Sequence, residues 1–201
     1  MTEELGRRAQ ILEAAFEEFA AKGFKGATIK SIAETAGLQS PALIYWYFPD
    51  KEALFREVLH SQIPVLRTVN DPTNLLDLPP EKVLPMIARR YFSTFDNPIS
   101  QRMVRLMVGE LMRSRQIVEI FGNTVIKRVL EFLKMYMAHQ IELGRLRPHD
   151  VRSSTRAFMG MLLPQVGGKL FFPAIREDGL TDEEHVETVV RIFLEGLEPG
   201  S

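Results

Sequence analysis

Residues 45–48 read Tyr-Trp-Tyr-Phe, and Lys51 follows three positions later. Phenolic hydroxyls donate to phosphate oxygens, apolar groups meet thymine methyls, and an ammonium pairs with a phosphate. A helix buries one stripe of side chains, so four consecutive aromatics point all the way round and some must face outward. Ile44 and Phe48, four apart, can face inward with Leu38. The opposite side then carries Ala42, Leu43 and Trp46, flanked by Tyr45 and Tyr47. Lys51 falls in the first turn of the next helix, where its charge opposes the helix dipole. A phosphate partner would account for it. On residue types alone, burial of all four rings in a core or a protein interface is as good a reading as contact with DNA.

The elements that must position these residues are helical. Residues 7–22 repeat apolar groups at helical spacing (Ile11, Leu12, Ala15, Phe16, Phe19), and Gly23 is placed to end that helix. Thr28 is a candidate N-cap for a second helix, which Gly37 terminates. Ser40-Pro41 is a start signal for a third, 41–48. Pro49 breaks it, and Asp50 caps a fourth that runs to residue 69 with a kink expected at Pro64. A glycine turn between the second and third short helices is a helix-turn-helix pattern, whose last helix enters the major groove.

The run Thr28–Phe55, "TIKSIAETAGLQSPALIYWYFPDKEALF", resembles the DNA-binding signature of the TetR/AcrR family of one-component regulators. Thr28, Ile32, Ala33, Ala36 and Gly37 match its first half, and Tyr45, Tyr47, Phe48, Lys51 and Leu54 its second. Gly37 and Tyr45 are eight apart where the family spacing is seven, and Ser40-Pro41 stands where a glycine often opens the reading helix, so the turn is one residue longer. The resemblance implies an operator-binding regulator, most simply a repressor released by a small molecule. The DNA-contacting set expected is Thr28, Lys30, Gln39, Ser40, Ala42, Leu43, Tyr45, Trp46, Tyr47 and Lys51. Residues 1–60 carry seven Lys/Arg against nine Asp/Glu. Contact through few phosphates, helped by dimerisation, is therefore expected. The same acidity favours the alternative of a helical sensor or scaffold that kept the fold and lost DNA binding.

Beyond a proline-rich connector at 70–80, helical patterns cover 81–95, 99–114, 116–143, 150–172 and 182–197. No period-2 alternation is sustained, so the whole chain reads as all-α. The expected organisation is a DNA-binding domain at 1–50 and a ligand-binding and dimerisation domain at 51–201, joined by the helix 50–69. The resemblance implies an effector pocket in this second part. Adaptable methionines and aromatics suit one: His60, Met86, Phe92, Met103, Met107, Phe121, Tyr136, His139 and Met161 are candidates, with Met112 beside them. For any single methionine, a plain core role is the commoner fate. Arg89, Arg90, Arg102, Arg105, Arg113 and Arg115 could meet an anionic ligand such as an acyl thioester, though such residues more often form a solvated face. A two-fold dimer is expected through Ala157 and Gly160, which permit close helix approach, and through the stripe Val186, Val189, Val190 and Phe193. A ligand near residues 60–66 would swing the first domain.

Other classes find no support. With no cysteine there is no disulfide framework, thiolate zinc site or cysteine nucleophile. No P-loop, Gly-x-Ser-x-Gly or histidine pair at metal spacing occurs. Asp182 and His185 share a helix face, but an acid at a helix start is an ordinary dipole partner. No metal or cofactor is expected. "MTEELGRRAQ" lacks the apolar core of a secretory signal, and "MGMLLP" is too short to span a membrane, so a cytoplasmic protein is expected.

Overall fold

The computed structural model describes residues 2–70, 72, 74–111 and 114–197, residues 2–5 and 111 by backbone only. Eleven α-helices are described among them: α1 (Thr2–Gly26), α2 (Ile29–Thr35), α3 (Ala42–Tyr45), α4 (Lys51–Gln62), α5 (Pro64–Asn70), α6 (Pro80–Ser93), α7 (Pro98–Leu111), α8 (Arg115–Phe121), α9 (Lys127–Glu142), α10 (Val151–Leu170) and α11 (Asp182–Glu195). A π turn, Gly122–Ile126, precedes α9, and a 3-10 turn, Pro173–Arg176, follows α10. The described residues contain no strand, so the fold is all-α as expected.

The first helix leaves helical geometry at Gly23 (φ 71°, ψ 175°), where it was expected to end, and resumes to Gly26; three others are broken or shortened. The helix expected over 50–69 is two, because Pro64 pushes the residue before it out of the α region. Ile63 is extended at φ −105°, ψ 99°, and Pro64 opens a new helix rather than kinking an old one. The helix expected at 116–143 is interrupted where the weak helix formers Gly122, Asn123 and Thr124 wind into the π turn. The helix expected at 41–48 narrows to a single turn.

The chain forms two compact units, Met1–Ile63 with Asn97–Val125 and Pro64–Asp96 with Ile126–Ser201. The first is larger than the first fifty residues, since it also holds α4, α7 and α8. Its core is the buried stripe of α1 (Ile11, Ala15, Phe16, Phe19) meeting Ile32, Ile44, Phe48 and Phe55. Leu12, expected in that stripe, is only half-buried. Phe19, Phe24 and Phe55 pack ring to ring, with centroids 4.9–5.9 Å apart.

In the second unit, α6 packs on α5 and α11, and α9 on α5 and α10. Buried Leu84, Ile87, Phe132, Phe158 and Leu162 form its centre. An ionic cluster ties one end together. Lys169, nearly buried, bonds Asp96 (2.6 Å) and Asp182 and lies over the Phe92 ring, while Arg176 reaches Asp182 at 2.8 Å. Gln165 donates to the same Asp182 carboxylate.

Candidate nucleic-acid interface

The segment that carries the aromatic run is hung between two capped helices. Thr28 and Ser31 close a capping box at the start of α2, with Ser31 N donating to Thr28 Oγ1 at 3.0 Å. At the other end Gly37 adopts φ +63°, and Leu38 N returns to Ala33 O at 2.9 Å, which ends the helix in a left-handed turn. Gln10 pins that turn to α1 by donating to Ala36 O. Ser40 Oγ accepts from Ala42 N at 3.2 Å and starts α3. Tyr47 N and Phe48 N both reach Ile44 O, so the helical turn continues past Tyr45.

This geometry divides the aromatic run. Ile44 and Phe48 are buried, with the Arg8 guanidinium 5.1 Å above the Phe48 ring. Trp46 is 80% exposed and Tyr45 53%. Ala42 and Gln39 are exposed, and Leu43, Ser40 and Tyr47 half-buried. Leu38, expected in the core with Ile44, is itself only half-buried. Trp46 and Tyr45 are the two most exposed large apolar side chains described in this unit. Thr28 and Lys30 are also exposed, Lys30 with only a long 4.0 Å approach to Glu34.

Lys51 is placed differently from the free phosphate-binding side chain expected of it. Its ammonium donates to Phe24 O at 2.8 Å and to Ala27 O at 3.0 Å and lies 4.5 Å above the Phe24 ring. Burial pushes its pKa down, and the charge of Glu110 acts the other way. Carbonyls at the end of α1 thus supply the counter-charge that the sequence reading assigned to a phosphate. An ammonium has three N–H donors, and these carbonyls take two.

The effector candidates divide between the units. His60, Met103, Met107 and Phe121 belong to the first; Met86, Phe92, Tyr136, His139 and Met161 belong to the second. Met103 and Met107 are buried and share the i, i+4, i+7 face of α7 with Glu110, the face that bonds to the end of α1. That is a packing role. Tyr136 is fully buried with its hydroxyl donating to Leu78 O, and burial raises its pKa. His139 Nε2 lies 2.9 Å from Asp77 Oδ1, and Gln140 donates to Leu76 O. These α9 side chains fasten the segment 76–78 rather than face an open space. Phe92 is buried, its ring against His185, which itself lies 2.9 Å from Met161 O. Arg89 forks onto Glu183, and Arg90, Arg102, Arg105 and Arg115 are exposed. Met112 and Arg113 lie outside the described residues. An open groove of about 470 Å³ between α6 and α11 is lined by charged residues including Glu81, Arg89, Glu187 and Arg191, and holds none of the nine candidates.

The stripe expected at a dimer contact faces inward. Val186, Val189, Val190 and Phe193 are all buried in the second unit, Phe193 5.1 Å from the Phe158 ring. A helix in a protein this size buries its best apolar face on its own core first. Exposed small or apolar positions on the same two helices include Ala157, Gly160 and Leu163 on α10 and Ile192 on α11, among charged neighbours such as Arg152, Arg156, Glu187 and Arg191.

Residues 11–58 match the bacterial regulatory proteins of the tetR family, and residues 82–196 match the C-terminal domain of AefR-like transcriptional repressors. The chain belongs to the TetR family. RutR of Escherichia coli is 28% identical to this TetR-family chain, spanning 96% of it and 91% of RutR. SrpR of Pseudomonas putida is 23% identical over 93% of the chain and 81% of its own length. A solved structure from Mesorhizobium loti superposes with a TM-score of 0.73 at 24% identity, covering 99% of this chain and 100% of that one. Bacillus subtilis FadR, solved in complex with stearoyl-CoA, superposes at 0.68 with 18% identity, over 94% and 98%. Both likenesses show the fold. As a TetR-family member the protein is a DNA-binding transcriptional regulator. Among the described residues, no helix is long and apolar enough to cross a membrane, and no cluster of three His, Asp or Glu side chains is placed to hold a metal ion.

Proposed function

We propose that the face made by Gln39, Ala42, Leu43, Tyr45, Trp46 and Tyr47 reads operator DNA in the major groove, with Thr28, Lys30 and Ser40 on flanking phosphates. The observation that carries this reading is the exposure of Trp46 and Tyr45 beside the buried Ile44 and Phe48. A core or intramolecular role would have covered those rings. Lys51 serves this face chiefly by holding it in place, with its third donor left for a phosphate.

The regulator acts as a homodimer joined through the exposed side of α10 and α11, so its operator is a near-palindrome. The effector is a small molecule, and its binding releases DNA by favouring the arrangement that cannot bind. The stearoyl-CoA held by FadR makes an acyl thioester the first class to try. Selection of duplexes from a random pool by the wild-type protein tests the reading. It should return two inverted half-sites with centres about 34–36 Å apart or a multiple of that spacing. Enrichment of no sequence would favour instead the sensor that keeps the fold without reading DNA.

A further inference from the structure

The turn that follows α1's glycine is gripped from both sides. Gly23 leaves the helix at φ +71°, and the next two amides, Phe24 N and Lys25 N, donate to the two carboxylate oxygens of Glu110 at 3.1 and 3.3 Å. The carbonyls of the same turn, Phe24 O and Ala27 O, accept from Lys51. The fit at Gly23 is close: an added Cβ would stand 2.5 Å from Glu110 Oε1. Glu110 lies on α7, 86 residues away in sequence, and is the only described side chain recorded on those two amides.

The turn borders the reading segment on both flanks. Thr28, the cap of α2, follows Ala27 directly. Lys51 follows Asp50, whose carboxylate caps α4 through Ala53 N at 2.7 Å. Thus the start of α2, which leads into the segment carrying α3, and the start of α4, which follows it, both adjoin residues 24–27.

We propose that Glu110 is a positioning residue for DNA reading: it holds the Gly23–Ala27 turn against Lys51 and so sets where Tyr45, Trp46 and Tyr47 stand. The proposal rests on the reading that this face contacts DNA. Glu110 touches no base or phosphate; it acts through the turn. Removing it should therefore cost sequence discrimination, which needs registered side chains, more than general attraction to phosphate.

The test uses the full chain and two probes, the duplex selected by the wild type and a random-sequence duplex of equal length. Glu110→Ala is expected to bind the selected duplex at least about tenfold more weakly, in line with the loss of about one registered base contact. Its affinity for the random duplex and the salt dependence of that affinity should stay as in the wild type, since no phosphate contact is removed. Emission from Trp46, the single tryptophan, should shift in the variant without DNA. Should Glu110→Ala fail to fold, Glu110→Gln, which keeps one acceptor oxygen, carries the same comparison. A folded variant with wild-type affinity for the selected duplex, or with equal losses on both duplexes, would overturn the proposal. Failure of the wild type to select any duplex would contradict the DNA reading itself, and this inference with it.

Discussion

Lys51 shows how one side chain can be located by sequence while its intramolecular partners stay hidden. Its place in the first turn of a helix, against the dipole, marks it as needing an anionic or carbonyl partner. The residues that meet the need, Phe24 and Ala27, stand more than twenty positions away, and nothing in their types announces it. Hydrogen bonds from a charged donor are each worth about 1.5–3 kcal/mol, and the Phe24 ring adds a cation–π contact. Lys51→Ala should therefore lower the unfolding free energy by about 2 kcal/mol in a urea titration followed by circular dichroism. Its salt dependence on the selected duplex should fall by at most about one phosphate's worth. A variant of unchanged stability would return Lys51 to a purely phosphate-binding role. The aromatic run is the opposite case. Helical spacing placed Ile44 and Phe48 inward and Trp46 outward, as the structure has them, but left open whether the outer rings meet a core, a protein or DNA.

At the scale of elements, caps and breaks were the readable features. Thr28, Gly37, Asp50 and Pro64 each act locally, and local chemistry is written in adjacent residues. Glu110 and the Lys169–Asp182 cluster were not readable, since they join segments tens of residues apart. Asp182 was placed by sequence at a helix start, where it does stand, but its partners are Lys169, Arg176 and Gln165 from α10 and the 3-10 turn. Burial raises its pKa, and the bonds from Lys169 and Arg176 outweigh that and bring it below the ordinary 3.8. A carboxyl with a depressed folded pKa contributes stability that is present above its unfolded value and lost as pH falls through the folded one. The second unit should thus begin to lose stability below about pH 4. Asp182→Asn should lower stability at pH 7 by about 1–2 kcal/mol, because it weakens one carboxylate contact of nearly buried Lys169 while Asp96 keeps another, and should flatten the acid limb. Urea midpoints of both proteins at pH 7 and pH 3.5 decide this; parallel acid limbs would show that Asp182 titrates as an exposed acid.

For the whole molecule, family membership supplies what no single element shows, a DNA-binding transcriptional regulator; the pairing proposed above would make its site symmetric. The sequence placed the pairing contact on α10 and α11, and the four residues it named on α11 are buried in the protomer's own core. An apolar stripe at helical spacing cannot by itself distinguish a protomer's core from its interface, and here Val189 and Phe193 belong to the core. The test of pairing belongs on the exposed side. Leu163→Glu with Ile192→Glu should give a monomer in sedimentation, with unchanged helix content and a loss of affinity for the full site of about a hundredfold or more, as cooperative half-site binding is lost. A Val189→Glu variant should instead fail to fold. A stable dimer in the double variant would place the interface elsewhere.

If the exposed rings of Tyr45 and Trp46 lie against DNA, Trp46 reports it directly, because it is the only tryptophan in the chain. Acrylamide quenching of its emission should be strong in the free protein, as 80% exposure requires. Saturation with the selected duplex should reduce that quenching severalfold, while an equal concentration of random duplex below its own dissociation constant should leave it unchanged. A protein saturated with the selected duplex whose Trp46 remains as open to acrylamide as in the free state would show that these rings do not face DNA.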